Sequence, residues 1–175
     1  MIIGHLPAGY FTTRYLIKRQ KLPLNKWWLG LGIISAILPD LDYLYWLLSN
    51  DQAGTHRGYI TTYPIIYLGL FLISLLIYLF YKRQWLKNAI ILIFINIFVH
   101  FLLDTPFYGV KWFFPICNQE IGIYDVGSYT DGSGIQIQNY FTHWYWYLEI
   151  TFWVVAIISI FYSFKKGELG KKLIK

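Results

Sequence analysis

The sequence predicts an all-α, polytopic membrane protein with about five membrane segments, the first of them short. Three observations predict this class. Hydrophobic residues make up 57% of the 175 residues and charged residues only 14%, which is too apolar for an ordinary soluble domain. Several apolar runs approach the length of a membrane span. The basic residues, finally, are distributed very unevenly along the chain.

Three apolar runs, at about 59–81, 86–104 and 146–164, are long enough to cross the hydrocarbon core as helices. A further run, at about 27–49, is interrupted by "PDLD". The start of the chain, "MIIGHLPAGYFTTRYLI", carries Gly, His, Pro and Arg. It has no basic region before a long apolar stretch and no small-residue cleavage site, so it does not resemble a signal peptide. We expect a short first helix, partly shielded by protein.

The sequence gives no sign of a second domain. No repeat and no low-complexity tract is found, and the single cysteine, Cys117, excludes an intrachain disulfide and a cysteine-based zinc cluster. We therefore predict one integral membrane domain over residues 1–175. Residues 105–145, which include the polar run "DVGSYTDGSG", form an outer loop within it.

The net charge of +6 is explained by topology. All Lys and Arg residues except Arg57 and Lys111 fall within 14–26, 82–87 and 165–175, which five segments place on one side of the membrane. This asymmetry indicates that the basic side is cytoplasmic and predicts an integral protein of a prokaryotic cytoplasmic membrane. Nucleic acid is not an expected partner, because no basic face with interleaved aromatic residues is left.

The same topology places the histidines and nearly all the acidic residues at the opposite, extracytoplasmic side. The histidines are His5, His56, His100 and His143, and the acids are Asp40, Asp42, Asp51, Asp104, Glu120, Asp125, Asp131 and Glu149. Carboxylates gathered with so few basic partners repel one another unless a cation lies among them. Imidazole and carboxylate are ordinary ligands of divalent metals, so the pattern predicts a metal-type site at the outer end of the bundle.

Two short motifs carry most of this prediction. In "HFLLD", His100 and Asp104 are four residues apart and share a helix face. A helix-end histidine bonded to an interfacial carboxylate is the structural alternative, although ionisable groups in membrane segments are more often functional. In "LPDLD", Asp40 is a candidate helix cap after Pro39. Capping explains one carboxylate, however, and leaves Asp42 unexplained.

The ordered set "GHLPAGY", "ILPDLDYLYW", "THRGYITTYP" and "HFLLDTPFYGVKWFFP" resembles the YdjM-like family of predicted membrane-bound metal-dependent hydrolases, suspected relatives of zinc phospholipase C. The resemblance covers roughly residues 1–115. It implies that "DTPFYGVKWFFP" closes over the site and that the metal ligands are His5, Asp40, Asp42, His56, His100 and Asp104.

One departure from the family pattern concerns the motif around His56. The family often continues His-Arg-Gly with a Thr-His pair, and here the histidine expected near Thr61 is missing. One metal position is therefore lost or completed differently, with His143 in "NYFTHWYWYLE" as the possible additional ligand.

The expected mechanism is a metal-dependent hydrolysis at the outer membrane–water interface. A divalent metal, with zinc as the expected ion, lowers the pKa of bound water toward about 7. Asp42 or Asp104 would accept the proton as general base. Arg57 would hold a phosphate through its planar guanidinium, although an ion pair with Asp51 or with a carboxylate of the metal site explains it equally well. The expected partners are membrane lipids, with a phosphoester-containing lipid or a similar molecule as substrate.

Two functions from other classes are also compatible with the sequence. The protein is alternatively a membrane scaffold or binding protein with a degenerate metal site, as the missing histidine near Thr61 would indicate. It is alternatively an ion or proton pathway, in which intramembrane acids and histidines also occur. A pathway needs polar residues at several depths, and only Asn96 and Ser74 supply them.

Overall fold

The computed structural model describes residues 3–41, 60–122 and 144–167. Five α-helices lie within these ranges, and the predicted all-α membrane class is confirmed. The helices are α1 (His5–Arg19), α2 (Lys26–Ile37), α3 (Pro64–Tyr81), α4 (Gln84–Tyr108) and α5 (Trp144–Lys165). Single 3-10 turns follow α2 and precede α3, at Leu38–Asp40 and Ile60–Thr62.

Three of the five helices are long and apolar enough to cross a membrane, over Pro64–Tyr81, Gln84–Pro106 and Trp146–Lys165. They correspond to the three clear apolar runs of the sequence. Helix α1 has 15 residues and is therefore about 22 Å long, which agrees with a short first segment. The second half of the run predicted at 27–49 lies outside the described residues.

Local sequence accounts for the helix ends. The Asn25 side chain accepts a hydrogen bond from the Trp28 backbone N–H and caps α2. Pro64 occupies the first turn of α3, where its missing N–H costs nothing. Helix α3 ends at Lys82, which has a left-handed backbone with φ of 48°.

The bundle is built on α1, α2 and α4, which pack against one another, while α3 packs on α4 and α5 packs on α1. Two glycines allow α1 and α2 to approach closely. A Cβ atom on Gly9 would collide with the Ala36 Cβ, and one on Gly32 would lie 2.6 Å from the Thr13 Cγ2. Small residues at a helix crossing are the usual means of close packing in membrane proteins.

A buried polar contact joins α1 to α4 in the middle of the bundle. The Asn96 amide donates to the Thr13 hydroxyl at 3.2 Å and to the Leu92 carbonyl at 2.8 Å. Both Asn96 and Thr13 are fully buried. Their mutual hydrogen bonding gives Asn96 a role in holding α1 against α4.

Helix α4 continues beyond the end of the apolar run, through Pro106 to Tyr108. A proline removes one backbone hydrogen bond, and here it lies in the last turn. Gly109, with φ of 71°, ends the helix because glycine adopts this conformation without strain. Val110 then forms an antiparallel bridge with Ile121, which closes a loop over the end of α4.

Candidate metal centre

Four ionisable side chains meet at one end of the bundle. His5 begins α1, Asp40 lies in the 3-10 turn after α2, and His100 and Asp104 lie one turn apart on α4. His5, His100 and Asp104 are buried, whereas the Asp40 side chain is 31% exposed. The close packing of α1, α2 and α4 brings these residues together from three parts of the chain.

The ligand-type atoms of the cluster lie close to one another. His5 Nε2 is 3.0 Å from Asp104 Oδ1 and 3.8 Å from Asp40 Oδ2. His100 Nε2 is 3.4 Å from Asp40 Oδ1 and 3.6 Å from Asp104 Oδ2. Both imidazoles therefore direct Nε2 toward the same pair of carboxylates.

The orientation of His100 is fixed by the backbone of α2. His100 Nδ1 lies 2.7 Å from the Ala36 carbonyl oxygen, and since a carbonyl only accepts, Nδ1 carries the proton and donates. In the neutral ring, Nε2 then presents a lone pair to Asp40 and Asp104. A proton on Nε2, which gives an imidazolium paired with the carboxylates, or a metal ion bound to Nε2 removes the repulsion between this lone pair and the carboxylates. Metal-bound histidines commonly donate their other ring N–H to a backbone carbonyl in this way.

The distances fit a small divalent ion. Nitrogen and oxygen ligands at 2.0–2.1 Å from zinc in a tetrahedral arrangement lie about 3.3 Å apart. The four separations in the cluster, from 3.0 to 3.8 Å, are of this size, and they involve both oxygens of each carboxylate rather than one ligand atom from each residue. His5, His100 and Asp104 each offer one ligand atom within 4.8 Å of the others, so this triad could hold a metal, with Asp40 beside it.

The two imidazole rings stack on each other, with centroids 3.8 Å apart and planes inclined by 20°. Two imidazolium cations at this distance would repel, so the stack favours at most one charged ring. Neutral imidazole is also the form that binds a metal. The His5 Nδ1 atom is buried and has no hydrogen-bond partner among the described residues, so Nε2 carries the polar contacts of His5.

The cluster opens into a cleft between the end of α4 and the loop over it. Asp40, His100 and Asp104 line the part that we call its floor, and the residues that line the rest, which we call its walls, include Tyr63, Lys111 and Glu120. The Trp112 indole N–H donates to the Thr105 hydroxyl at 2.9 Å and fixes the loop to α4. The sequence segment "DTPFYGVKWFFP" therefore begins at Asp104 and continues into the wall of the cleft, next to the cluster.

The remaining residues of the predicted site lie outside the described residues. These are Asp42, His56, Arg57 and His143, and their roles stay predictions. Thr61, where the family histidine was expected, lies in the 3-10 turn Ile60–Thr62. Its neighbour Thr62 lines the cleft, so the position where the family has a histidine lies next to the cleft wall.

Some contributions to this end of the bundle were not predicted from the sequence. The Ala36 carbonyl belongs to the backbone, so no residue type in the sequence indicates its contact with His100. Glu149 on α5 is fully buried and accepts a hydrogen bond from the Ile3 backbone N–H at 3.0 Å, which holds the chain just before His5. A lone carboxylate in the apolar run "WYWYLEITFWVV" was the available signal for Glu149.

The fold and the cluster together define a helical membrane protein with a candidate metal centre at one end of its bundle. Its family follows from sequence comparison. The chain belongs to the family described as YdjM inner membrane protein, which matches residues 1–169. Neither a curated protein nor a solved structure matches the chain. The family description agrees with the apolar helices and supports a location in an inner membrane.

Proposed function

We propose that the protein is a membrane-embedded, metal-dependent hydrolase that acts at the membrane–water interface on a phosphoester-containing lipid. The observation that carries this proposal is the convergence of two imidazole nitrogens and two carboxylates at one place. His5 Nε2 lies 3.0 Å from Asp104 Oδ1, and His100 Nε2 lies 3.4 Å from Asp40 Oδ1 and 3.6 Å from Asp104 Oδ2. A divalent cation, with zinc as the proposed ion, satisfies both histidines and both carboxylates.

The ligands in this proposal are His5, His100 and Asp104, with Asp40 beside them. A bound ion would supply Lewis acidity and lower the pKa of a coordinated water toward about 7. Ala36 orients His100 through its carbonyl, and the His5 ring is held against His100 by stacking. The buried position of the triad limits competition from bulk water.

The remaining steps are assigned to residues named by the sequence. Asp42 lies two residues beyond Asp40 and is proposed to accept the proton of the attacking water, with Asp104 as the alternative base. Arg57 is proposed to bind phosphate oxygens through its planar fork. His56 is proposed as a further ligand, and His143 as the additional ligand that completes the position of the histidine missing near Thr61.

The location of the site is part of the proposal. The asymmetry of Lys and Arg residues supports a basic cytoplasmic side and a cluster that faces the extracytoplasmic side. We also propose one integral domain over residues 1–175, in which the outer loop predicted at 105–145 includes the last turn of α4 and the first residues of α5 at its two ends. A cleft at the end of a spanning helix lies at the depth of lipid head groups, which favours a lipid substrate.

The direct test is elemental analysis of the detergent-purified protein after dialysis against zinc. We expect stoichiometric metal in the wild type and its loss in His100→Ala, which removes a ligand. Asn96→Ala is the matched control, because Asn96 is a buried polar residue one turn earlier on α4 that bonds Thr13 and not the cluster. Asn96→Ala should keep the metal. Full occupancy in His100→Ala would make "HFLLD" a structural helix end.

The catalytic part is tested by head-group or phosphate release from a panel of lipids, with and without chelator. We expect release that requires metal and decreases strongly in Asp42→Asn. Arg57→Lys should keep the metal and lower turnover, since an ammonium cannot form the bidentate contact of the guanidinium. Metal binding without turnover on any lipid would favour the scaffold function instead.

A further inference from the structure

Lys111 lies in the wall of the cleft whose floor contains Asp40, His100 and Asp104. Its side chain is only 20% exposed. The ammonium is 3.9 Å from Glu120 Oε1 and 5.7 Å from the centroid of the Tyr63 ring. The antiparallel bridge of its neighbour Val110 with Ile121 holds the backbone in place. Lys111 is thus a largely buried cation within a preformed cleft.

The contact with Glu120 does not by itself explain this placement. The Glu120 carboxylate is 46% exposed, and ion pairs of this exposure contribute little to stability. A surface pair of this kind requires no cleft. The Lys111 ammonium does suit a ligand whose negative charge lies between the wall and a metal-loaded floor.

The loop that carries Lys111 also presents exposed apolar side chains. Phe113 is 61% exposed and Ile116 is 94% exposed. Between them, Phe114 stacks on Tyr63 with ring centroids 4.4 Å apart, which fixes the loop beside the cleft. Exposed apolar residues at the end of a membrane-spanning helix are positioned to enter the lipid interface rather than water.

We propose that Lys111 is an anion-binding residue of this cleft, in addition to Arg57, and that its ligand is the phosphate of a membrane lipid whose acyl chains lie against Phe113 and Ile116. The proposal rests on the proposed function, because it needs the metal-loaded floor. Before metal binds, the carboxylates of Asp40 and Asp104 repel a phosphate. A divalent ion bound there would offset the two carboxylate charges and remove this repulsion, so that the Lys111 ammonium can attract the phosphate.

A change of charge at Lys111 should therefore have opposite effects on the binding of phosphate and on the binding of the metal. Lys111→Gln removes a positive charge, so phosphate should bind more weakly, whereas the metal, also a cation, should bind as well as before or better. A variant that only disturbs the fold would weaken both. Lys111→Arg keeps the charge and should retain most phosphate binding. Glu120→Gln removes the competing carboxylate and should strengthen phosphate binding.

The experiment uses the full chain in detergent and measures equilibrium binding of zinc, of radiolabelled phosphate, and of phosphatidic acid in mixed micelles. Phosphate binding should require zinc. Lys111→Gln should weaken phosphate and phosphatidic acid binding about tenfold or more, the typical loss for a charged hydrogen bond. Lys165→Gln is the matched control, since Lys165 is an exposed lysine in the last turn of α5, and it should bind both as the wild type does.

The lipid part is separated by the double variant Phe113→Ser/Ile116→Ser. It should bind inorganic phosphate normally and phosphatidic acid micelles at least fivefold more weakly. Unchanged micelle binding in this variant would overturn the lipid assignment and leave free phosphate as the ligand. Equal phosphate binding by zinc-loaded wild type and Lys111→Gln would overturn the role of Lys111 while the proposed function stands. A wild type that binds no zinc would overturn the proposed function itself and, with it, the metal-dependent anion site.

Discussion

The substitution Gly9→Ala tests whether the helix crossing of α1 and α2 sets the geometry of the metal cluster. A Cβ atom at position 9 would collide with the Ala36 Cβ. Ala36 supplies the carbonyl that orients His100, and α1 carries His5 at its first residue. A single added methyl group therefore acts on both histidines without touching either.

The size of the effect follows from the contact. Carbon atoms in ordinary contact lie about 3.5–4.0 Å apart, so α1 and α2 must separate by on the order of 1 Å. Overpacking of this kind costs about 1–3 kcal/mol, while alanine favours a helix over glycine by about 1 kcal/mol. Gly30→Ala, on α2, is the matched control. No atom lies within 4 Å of its added Cβ, so it receives the helix gain without the collision.

We therefore expect the free energy of unfolding of Gly9→Ala to lie about 1–3 kcal/mol below that of Gly30→Ala. Metal sites tolerate shifts of only about 0.2 Å in ligand distance. Zinc affinity should thus decrease about tenfold or more in Gly9→Ala, by analogy with the loss of a residue that orients a ligand. Thermal unfolding in detergent and competitive zinc titration measure the two effects. Equal stability and equal zinc affinity in the two variants would refute the proposed coupling.

Three further substitutions or labels probe the cluster, the N-terminal segment and the topology. Asp104→Asn keeps the size of a ligand and removes its charge; zinc affinity should decrease at least tenfold in competition with a chelator, and an unchanged affinity would exclude Asp104 as a ligand. Glu149→Leu leaves the Ile3 N–H without its acceptor and should lower the free energy of unfolding by about 1–3 kcal/mol, whereas Glu149→Gln retains an acceptor oxygen and should lose less. The exposed Cys117 should react with an impermeant thiol reagent in intact cells, whereas a cysteine placed at Lys171 in a Cys117→Ser background should not; the reverse labelling would invert the topology.

The helical membrane class was predictable because its causes are local. The thickness of a bilayer requires about twenty apolar residues in each span, and the runs that became α3, α4 and α5 are contiguous in the sequence. The pairing of His100 with Asp104 was equally local, since residues four apart share a helix face. Both features depend on neighbours along the chain, which the sequence displays directly.

The remaining members of the cluster depended on packing between distant segments. The sequence proposed His5 and Asp40 through sidedness and family resemblance. Their distances to His100 and Asp104 required the close approach of α1, α2 and α4 that Gly9 and Gly32 allow. The topology predicted from Lys and Arg only places residues on the same side of the membrane. Two residues on that side can still be tens of ångströms apart.

The contacts that orient the site were decided by the tertiary structure alone. The Ala36 carbonyl that fixes the His100 ring belongs to the backbone, and every residue type supplies one. Lys111 was visible in the sequence as one of two cations on its side. Its place in the cleft wall came from the turn at Gly109 and the bridge between Val110 and Ile121. Residue type and spacing determined which groups are available for chemistry, whereas helix crossing and loop closure decided which of them meet, because those distances depend on packing across the fold.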